Sequence, residues 1–436
     1  MRIRKGKAKM KTAILGAGLT GLELGRRLHL MGKDFTIFEK ESQLGGLART
    51  FRTGIYSWDL GVHAMYSKDK IITGYYDSLP IHIQRHTRNV KIRHGDSLIS
   101  YPFENAISEL PLRDRWECVR GYLTSHRKEK YSSLEDWIVN RLGYGISKHF
   151  MTPYNKKIWD CPLYLISAGL VSGKIDPMSV HLFILSALGY RTIGRAYQSK
   201  FVYPLNGIQE FIEHTAADIR DRIQINKEVT EMKYKNGRWL VHEEEFDRVV
   251  STIPLPELLK ILGINEALNL KWNNTRFIMI GLKPGCTFGK YHDCHWAFFK
   301  GAEIFYRLTF MHNFSNKFPA AVVAEVTDKY NVELRKYVVS DLLRAGIILG
   351  RDCIAEIAEK RVEYTYPIPT IGTSSLVEVI ENELRELNLH LLGRNGRWRY
   401  INMDGVIKEV DEYVTTVISN NRGDPSRKMG ELLGVN

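Results

Sequence analysis

Three glycines at positions 16, 18 and 21, an acid at 39, a double glycine at 45 and 46 and an arginine at 49 have the types and spacing to hold a dinucleotide. They lie in TAILGAGLTGLELGRRLHLMGKDFTIFEKESQLGGLARTFRT, residues 12–53. In this pattern Gly16 lets the chain turn sharply after a strand, Gly18 lets a pyrophosphate approach the backbone, and Gly21 lets the next helix pack closely on the strand. The N-terminus of that helix offers unpaired N–H groups and a positive dipole end to the phosphates. Glu39, 23 residues after Gly16, is placed to accept from both hydroxyls of an adenosine ribose, and its charge disfavours a 2′-phosphate. Gly45, Gly46 and Arg49 form a second glycine turn followed by a cation, suited to the far side of a long dinucleotide. A nicotinamide and a flavin dinucleotide both remain open at this point.

Such residues need a βαβ unit to position them, and the apolar runs on either side of the helical stretch supply it. Beyond this unit, NVKIRHGDSLISYPF (89–103) alternates about Gly95 and Asp96, which predicts a hairpin. From about 104 to 200 the pattern is helical, and in SSLEDWIVNRLG either Ser132 or Ser133 is placed to cap a helix. FVYPLNGIQEFIEHTAADI (201–219) reads as strand, turn and amphipathic helix, and FDRVVSTIPLPELLKIL (246–262) as a buried strand ended by prolines. Both are expected to rejoin the nucleotide domain. RFIMIGL and AAVVAEV, within 274–330, predict an antiparallel sheet, and a last helix is expected to start near Asp404.

A chain of 436 residues is long enough for two or three structural domains. With 44% hydrophobic and 25% charged residues it falls outside the disordered class. No stretch approaches the ~20 apolar residues that span a bilayer. The basic MRIRKGKAKMK leads into the first strand without the apolar segment of a signal peptide, so a cytoplasmic location is expected. The cysteines at 118, 161, 286, 294 and 353 show neither a CxxC pair nor metal-ligand spacing; reduced packing residues, and no metal, are expected. Of the net charge of +13, six positive charges fall in the first eleven residues, as in a solvated arm or a weak contact with anionic lipid. The other basic residues lack the aromatic interleaving of a nucleic-acid groove. An anionic substrate accounts better for some of them.

Six segments are spread along most of the chain: DLGVHAMYS (59–67), YPFENAISELP (101–111), DWIVNRLGYGISKHFMTPYNKKIW (136–159), IFYRLTFMHNFS (304–315), YTYPIPT (364–370) and GRNGRWRYINMD (393–404). In content and order they resemble the UDP-galactopyranose mutase family, especially its eukaryotic branch. Protoporphyrinogen oxidases and amine oxidases share the family's flavin fold but not the YPF and PYNKKIW segments. The resemblance implies FAD, active in its reduced form, and an α/β fold: a Rossmann-type FAD-binding domain with a helical insertion and an antiparallel β-sheet substrate domain. On this division the FAD-binding domain takes 1–88, 201–265 and 386–436, the hairpin 89–103 and residues 266–385 form the sheet domain, and 104–200 the helical one.

In that family the reduced flavin N5 displaces the nucleoside diphosphate from the anomeric carbon and holds the sugar as a covalent adduct while a pyranose recloses as a furanose. The reaction has no net redox change and feeds surface-polysaccharide or glycosylated-metabolite synthesis. The departing diphosphate gains negative charge, so cations are needed beside it. By the match, Arg307 and Arg394 lie around the diphosphate and flavin, and planar guanidinium groups suit phosphate. His63 matches a histidine near the flavin ring, and these three are the expected catalytic residues. Gly16, Gly18, Gly21, Glu39, Gly46, Arg49 and Asp404 are expected to bind the cofactor. Tyr101, Phe103, Asn155, Trp159, Lys174, Tyr366 and Tyr400 are expected around the nucleotide sugar. Taken singly, Trp159 and Phe103 also suit a core, Asp404 a helix cap, and Arg307 and Arg394 the surface.

The chain departs from the family at Lys174, where a third arginine is expected, at Glu104, where a glutamine is expected, and at Phe314, where a tyrosine is expected. These departures bear on the sugar or nucleotide accepted more than on the chemistry. Residues 187–201, rich in glycine and cations, read as a flap over the diphosphate or as an exposed connection. An external donor such as NAD(P)H is compatible with reduced FAD, although no separate nicotinamide motif is evident. Two rival functions are an FAD oxidase or desaturase acting on an amine, porphyrin or polyene, and a flavin-binding protein without activity. Cations at 174, 307 and 394 weigh against an apolar substrate.

Overall fold

The computed structural model describes residues 10–171, 178–190, 199–264, 269–330 and 332–418. Strand Lys11–Leu15 lies near the middle of a five-stranded parallel sheet ordered Leu389–Leu391, Arg248–Ser251, Lys11–Leu15, Asp34–Phe38, Ile223–Gln224. Parallel strands covered on both faces need near-continuous apolar runs. Accordingly Ala13, Ile14, Ile37, Val249 and Val250 are all buried. From Lys11–Leu15 the chain crosses through helix Leu19–Leu30 to Asp34–Phe38 on one side, and later returns as Arg248–Ser251 on the other. The connections therefore diverge at the carboxyl end of the first strand and leave a crevice there.

The stretch 201–219 is divided. Helix Ile208–Ala216 packs with helix Leu19–Leu30, as expected for the nucleotide domain. Strand Lys200–Pro204 does not join the parallel sheet; it pairs antiparallel with Ile83–Thr87, where Phe201 stacks on its partner His86 at 4.9 Å. Cross-strand aromatic pairing of this kind fixes the register.

A second sheet has seven strands in the order Ile354–Ile368, Lys271–Leu282, Ala321–Thr327, Arg307–Phe310, Trp296–Phe299, Val90–His94, Ser97–Ser100. All neighbours are antiparallel except Trp296–Phe299 against Val90–His94. Its period-two pattern sends Phe277, Met279 and Val323 to one apolar cluster and Ile278, Ile280 and Val322 to another. The predicted hairpin forms its far edge and turns at Gly95, where φ is +60°. Cys286 and Cys353 form a disulfide, correcting the expectation that all cysteines are reduced. Pairing of Lys271–Leu282 with Ile354–Ile368 brings the two Cα atoms to 5.8 Å although 67 residues separate them. Cys118, Cys161 and Cys294 are free.

The helical region includes Leu112–Leu123, successive helical segments from Leu134 to Trp159, and Val180–Ala187. Ser133 caps its helix by accepting from Asp136 N at 3.1 Å. Two π turns, Ile138–Leu142 and Ser147–Met151, interrupt the α pattern. The helix expected near Asp404 is Met403–Tyr413, with Asn402 at its N-cap position. Asp404 instead accepts from Ser67 Oγ at 3.2 Å, so it ties the helix start to the loop after His63 rather than capping it.

Candidate active site

A cleft of about 1610 Å³ runs from the carboxyl end of the parallel sheet, under the seven-stranded sheet, to the helical region. At its first end Gly16 has φ +95°, and a side chain at Gly21 would overlap the Gly16 carbonyl. The second glycine turn is docked on the first: Gly45 N donates to Ala17 O at 2.9 Å, and a Cβ on Gly46 would lie 3.2 Å from Gly18 Cα. Glu39 accepts from Ala17 N through one oxygen at 2.8 Å and from Glu41 N through the other at 2.9 Å. Each oxygen keeps acceptor capacity toward the cleft. Arg49 is buried, with Nε unpartnered among the described residues. This cradle, acid and inward cation fit a dinucleotide.

At the other end, cross-strand register sets Arg307 opposite Glu325, a fully buried carboxylate in a strand buried at every position. Arg307 donates from Nε to Glu325 Oε1 and from Nη2 to Oε2, both at 2.6 Å, and from Nη2 to Tyr366 Oη at 2.9 Å. Burial opposes the charge on Arg307, but the adjoining carboxylate outweighs it and holds the guanidinium protonated. Arg394 donates to Thr365 O at 3.1 Å and lies 4.8 Å from the ring centroids of both Tyr366 and Tyr400. Burial raises Tyr366 to about 12, so its hydroxyl keeps its proton.

His63 lines the same space on the loop after strand Tyr56–Asp59. Gly61, with φ +66°, lets this loop pass Arg307: a Cβ there would come 3.3 Å from Nη2. Burial, then Arg394 and Arg307, push His63 down to about 3, which leaves a neutral imidazole whose Nδ1 is unpartnered among the described residues. The loop is anchored by Asp59, fully buried, which accepts from Thr50 Oγ1 at 2.7 Å, from Tyr203 Oη at 2.6 Å and from the backbone of His63.

Of the expected site residues, Gly16, Gly18, Glu39, Gly46, Arg49, His63, Tyr101, Asn155, Trp159, Arg307, Tyr366, Arg394 and Tyr400 all line the cleft. Gly21 lies behind it, in helix packing. Neither Phe103 nor Asp404 lines it: Phe103 is fully buried in the helical core, stacked on Phe150 at 5.2 Å, and Asp404, expected at the cofactor, is turned to Ser67. Asn155 donates to Met151 O at 2.7 Å and accepts from Trp159 Nε1 at 2.9 Å, so its amide orients Trp159, whose ring packs T-shaped with Tyr366 and Tyr400 at centroid distances of 6.0 Å. Lys174 lies outside the described residues, as does 191–198 of the expected flap.

Sequence reasoning missed Glu325, Asp59 and Arg88. Glu325 had a signal, a single acid inside AAVVAEV, and Asp59 stood in a quoted motif. Arg88, which lines the cleft with its guanidinium 4.9 Å from the Tyr101 centroid, had none.

Residues 14–79 match the family model of an NAD(P)-binding Rossmann-like domain. With that unit joined to a second sheet across one dinucleotide cleft, the chain belongs to the FAD-dependent oxidoreductase-like superfamily that includes the amine oxidases, and its cofactor is FAD. Within it, a crystal structure of reduced UDP-galactopyranose mutase is similar over 98% of both chains, with TM-score 0.88 and 25% identity. Mitochondrial protoporphyrinogen oxidase of Nicotiana tabacum is 32% identical over 185 residues, 41% of this chain and 36% of that protein. A 4,4'-diapophytoene desaturase of Staphylococcus haemolyticus is 42% identical over 52 residues, 12% of this chain and 10% of the desaturase. The chain thus spans little more than a third of the tobacco protein's length and a tenth of the desaturase's. No helix among the described residues is long and apolar enough to cross a membrane.

Proposed function

We propose that this flavoenzyme is a nucleotide-sugar mutase that interconverts the pyranose and furanose forms of UDP-galactose or a close analogue. The observation that carries the proposal is the convergence of two guanidinium groups, Arg307 and Arg394, with the Tyr366 hydroxyl beside His63 in one cleft. A cationic, hydroxyl-lined end suits a diphosphate and is costly for a polyene or porphyrin ring to cover.

Reduced FAD, when bound, supplies a nucleophilic ring nitrogen to the anomeric carbon of the sugar. Arg307 and Arg394 stabilise the charge that gathers on the diphosphate as the glycosidic bond breaks. Glu325 holds Arg307 by a two-point grip, which fixes the plane of its guanidinium before substrate arrives. Tyr366 already accepts from Arg307, so its own proton is directed outward to a phosphate oxygen. His63, neutral across the working pH range, offers a hydrogen bond without adding a third positive charge. Tyr101 and Arg88 form the flat, cationic wall for the base. On this reading the product feeds surface-glycan synthesis.

The second reading, an oxidase or desaturase, is favoured by the local similarity to protoporphyrinogen oxidase and diapophytoene desaturase. One experiment separates the two: anaerobic reduction with dithionite, followed by chromatography of UDP-galactopyranose incubated with oxidised and reduced protein. Furanose formed only by the reduced protein supports the mutase. No conversion, with oxygen consumed in proportion to an amine, porphyrin or polyene oxidised, contradicts it.

A further inference from the structure

Outside the cleft, His94, Asp114 and His149 come from three separate elements and turn polar atoms toward one point, and Glu117 adjoins His149. His94 ends strand Val90–His94, Asp114 and Glu117 share a face of helix Leu112–Leu123, and His149 lies in the π turn Ser147–Met151. His94 Nε2 lies 2.7 Å from Asp114 Oδ2; His149 Nε2 lies 3.0 Å from Glu117 Oε2 and 3.8 Å from Asp114 Oδ1. One ligand atom each from His94, Asp114 and His149 falls within 4.8 Å of the others. Both imidazoles are about nine-tenths buried, whereas the carboxylates keep about a quarter of their surface, leaving a path from solvent.

We propose that His94, Asp114 and His149 bind one divalent transition-metal ion of the zinc type, with Glu117, which reaches His149, brought in as the fourth ligand by rotation of its side chain. A tetrahedral ion with bonds of about 2.0–2.1 Å to nitrogen and oxygen spaces its ligand atoms about 3.3 Å apart. The His94–Asp114 and Asp114–His149 contacts, 2.7 and 3.8 Å, lie on either side of that value, and side-chain rotations that draw the three residues together and bring Glu117 round would admit the ion. Two neutral imidazoles with two carboxylates neutralise a dication and form a borderline donor set that zinc accepts, whereas calcium and magnesium prefer oxygen alone. Lys148, half-exposed, donates to Glu117 at 2.6 Å and gives up that bond to solvent when the ion enters. The ion tethers two walls of the cleft: the hairpin after His94 leads to Tyr101, and the helix after His149 carries Asn155 and Trp159. The sequence hides the site because its histidines and acids come from separate segments with no motif spacing.

The test uses the full-length, FAD-loaded protein, freed of metal with a chelator and titrated with cobalt(II), then zinc(II). The expected result is one cobalt per chain with intense tetrahedral absorption at longer wavelength than the flavin bands, displacement by zinc, and a higher unfolding temperature with zinc. His149→Ala should weaken binding by at least about tenfold with flavin content and far-UV circular dichroism unchanged. Glu117→Gln, on the solvent side, provides the same readout should the histidine variant fail to fold. Cobalt bound below one equivalent, or binding untouched by these substitutions, would overturn the site and leave a plain histidine–carboxylate hydrogen-bonded cluster.

Discussion

The two ends of the cleft are made of different material. At the dinucleotide end the cradle is backbone from one contiguous stretch, Gly16 to Gly46, with a single acid, Glu39, pinned by two backbone N–H groups. At the opposite end His63, Arg307, Tyr366 and Arg394 arrive from four distant segments, and each is held by something else: Asp59 for the His63 loop, Glu325 for Arg307, Arg307 for Tyr366, two tyrosine rings for Arg394. Backbone fixed by a strand and a helix has little freedom left to lose, whereas a long side chain costs up to about 2 kcal/mol to order. The first end is therefore positioned by the fold itself and suits many chemistries; the second must be positioned residue by residue and, on the proposed function, sets which chemistry occurs.

That contrast breaks most visibly at Arg307. Arg307→Ala should lower mutase turnover on the order of 10²–10³-fold while the flavin-to-protein absorbance ratio stays that of the parent; lost flavin would mean the two ends are not separable. Glu325→Ala should follow, destabilising the protein by about 2–3 kcal/mol in denaturant titration, because a largely buried charge loses its partner yet keeps some access to water. Glu39→Ala should do the opposite of Arg307→Ala. It should weaken FAD retention roughly tenfold, the worth of hydrogen bonds to a charged group, with turnover per bound flavin unchanged.

Asp59→Asn sharpens the comparison with the smallest effect. Burial pushes the folded carboxyl up to about 7 from its ordinary 3.8. Between those values the folded state holds a proton that the unfolded state releases, so stability falls as pH rises through the window. The asparagine variant should lose this fall while retaining its partners from Thr50 and Tyr203. Melting curves with the same pH dependence as the parent would exclude Asp59 as its source.

What was legible in the sequence follows the same division. The glycine spacing, the acid at 39, the turn at Gly95 and the cap at Ser133 are local devices, and the structure has each in place. The partner of strand Lys200–Pro204 and the Cys286–Cys353 bridge depend on pairing between distant strands, which no local pattern reports. The Arg307 end was visible only through resemblance, since nothing in FYR or TYPIPT alone says that a guanidinium and a phenol meet. Residue type likewise could not separate lining from support. Phe103 turned into the helical core, and Asn155 spends its amide on Trp159. Glu325 was the missed clue, because an acid in a strand buried at every position requires a partner.

The central claim, that Arg307 and Arg394 make this end of the cleft a diphosphate site, is tested most directly by equilibrium binding of UDP and UMP to the FAD-loaded protein. UDP should bind at least about tenfold more tightly than UMP, since its second phosphate gains charge-assisted hydrogen bonds, and Arg307→Ala should erase that preference with FAD still bound. Equal affinity for the two nucleotides, or a preference that survives Arg307→Ala, would contradict the account.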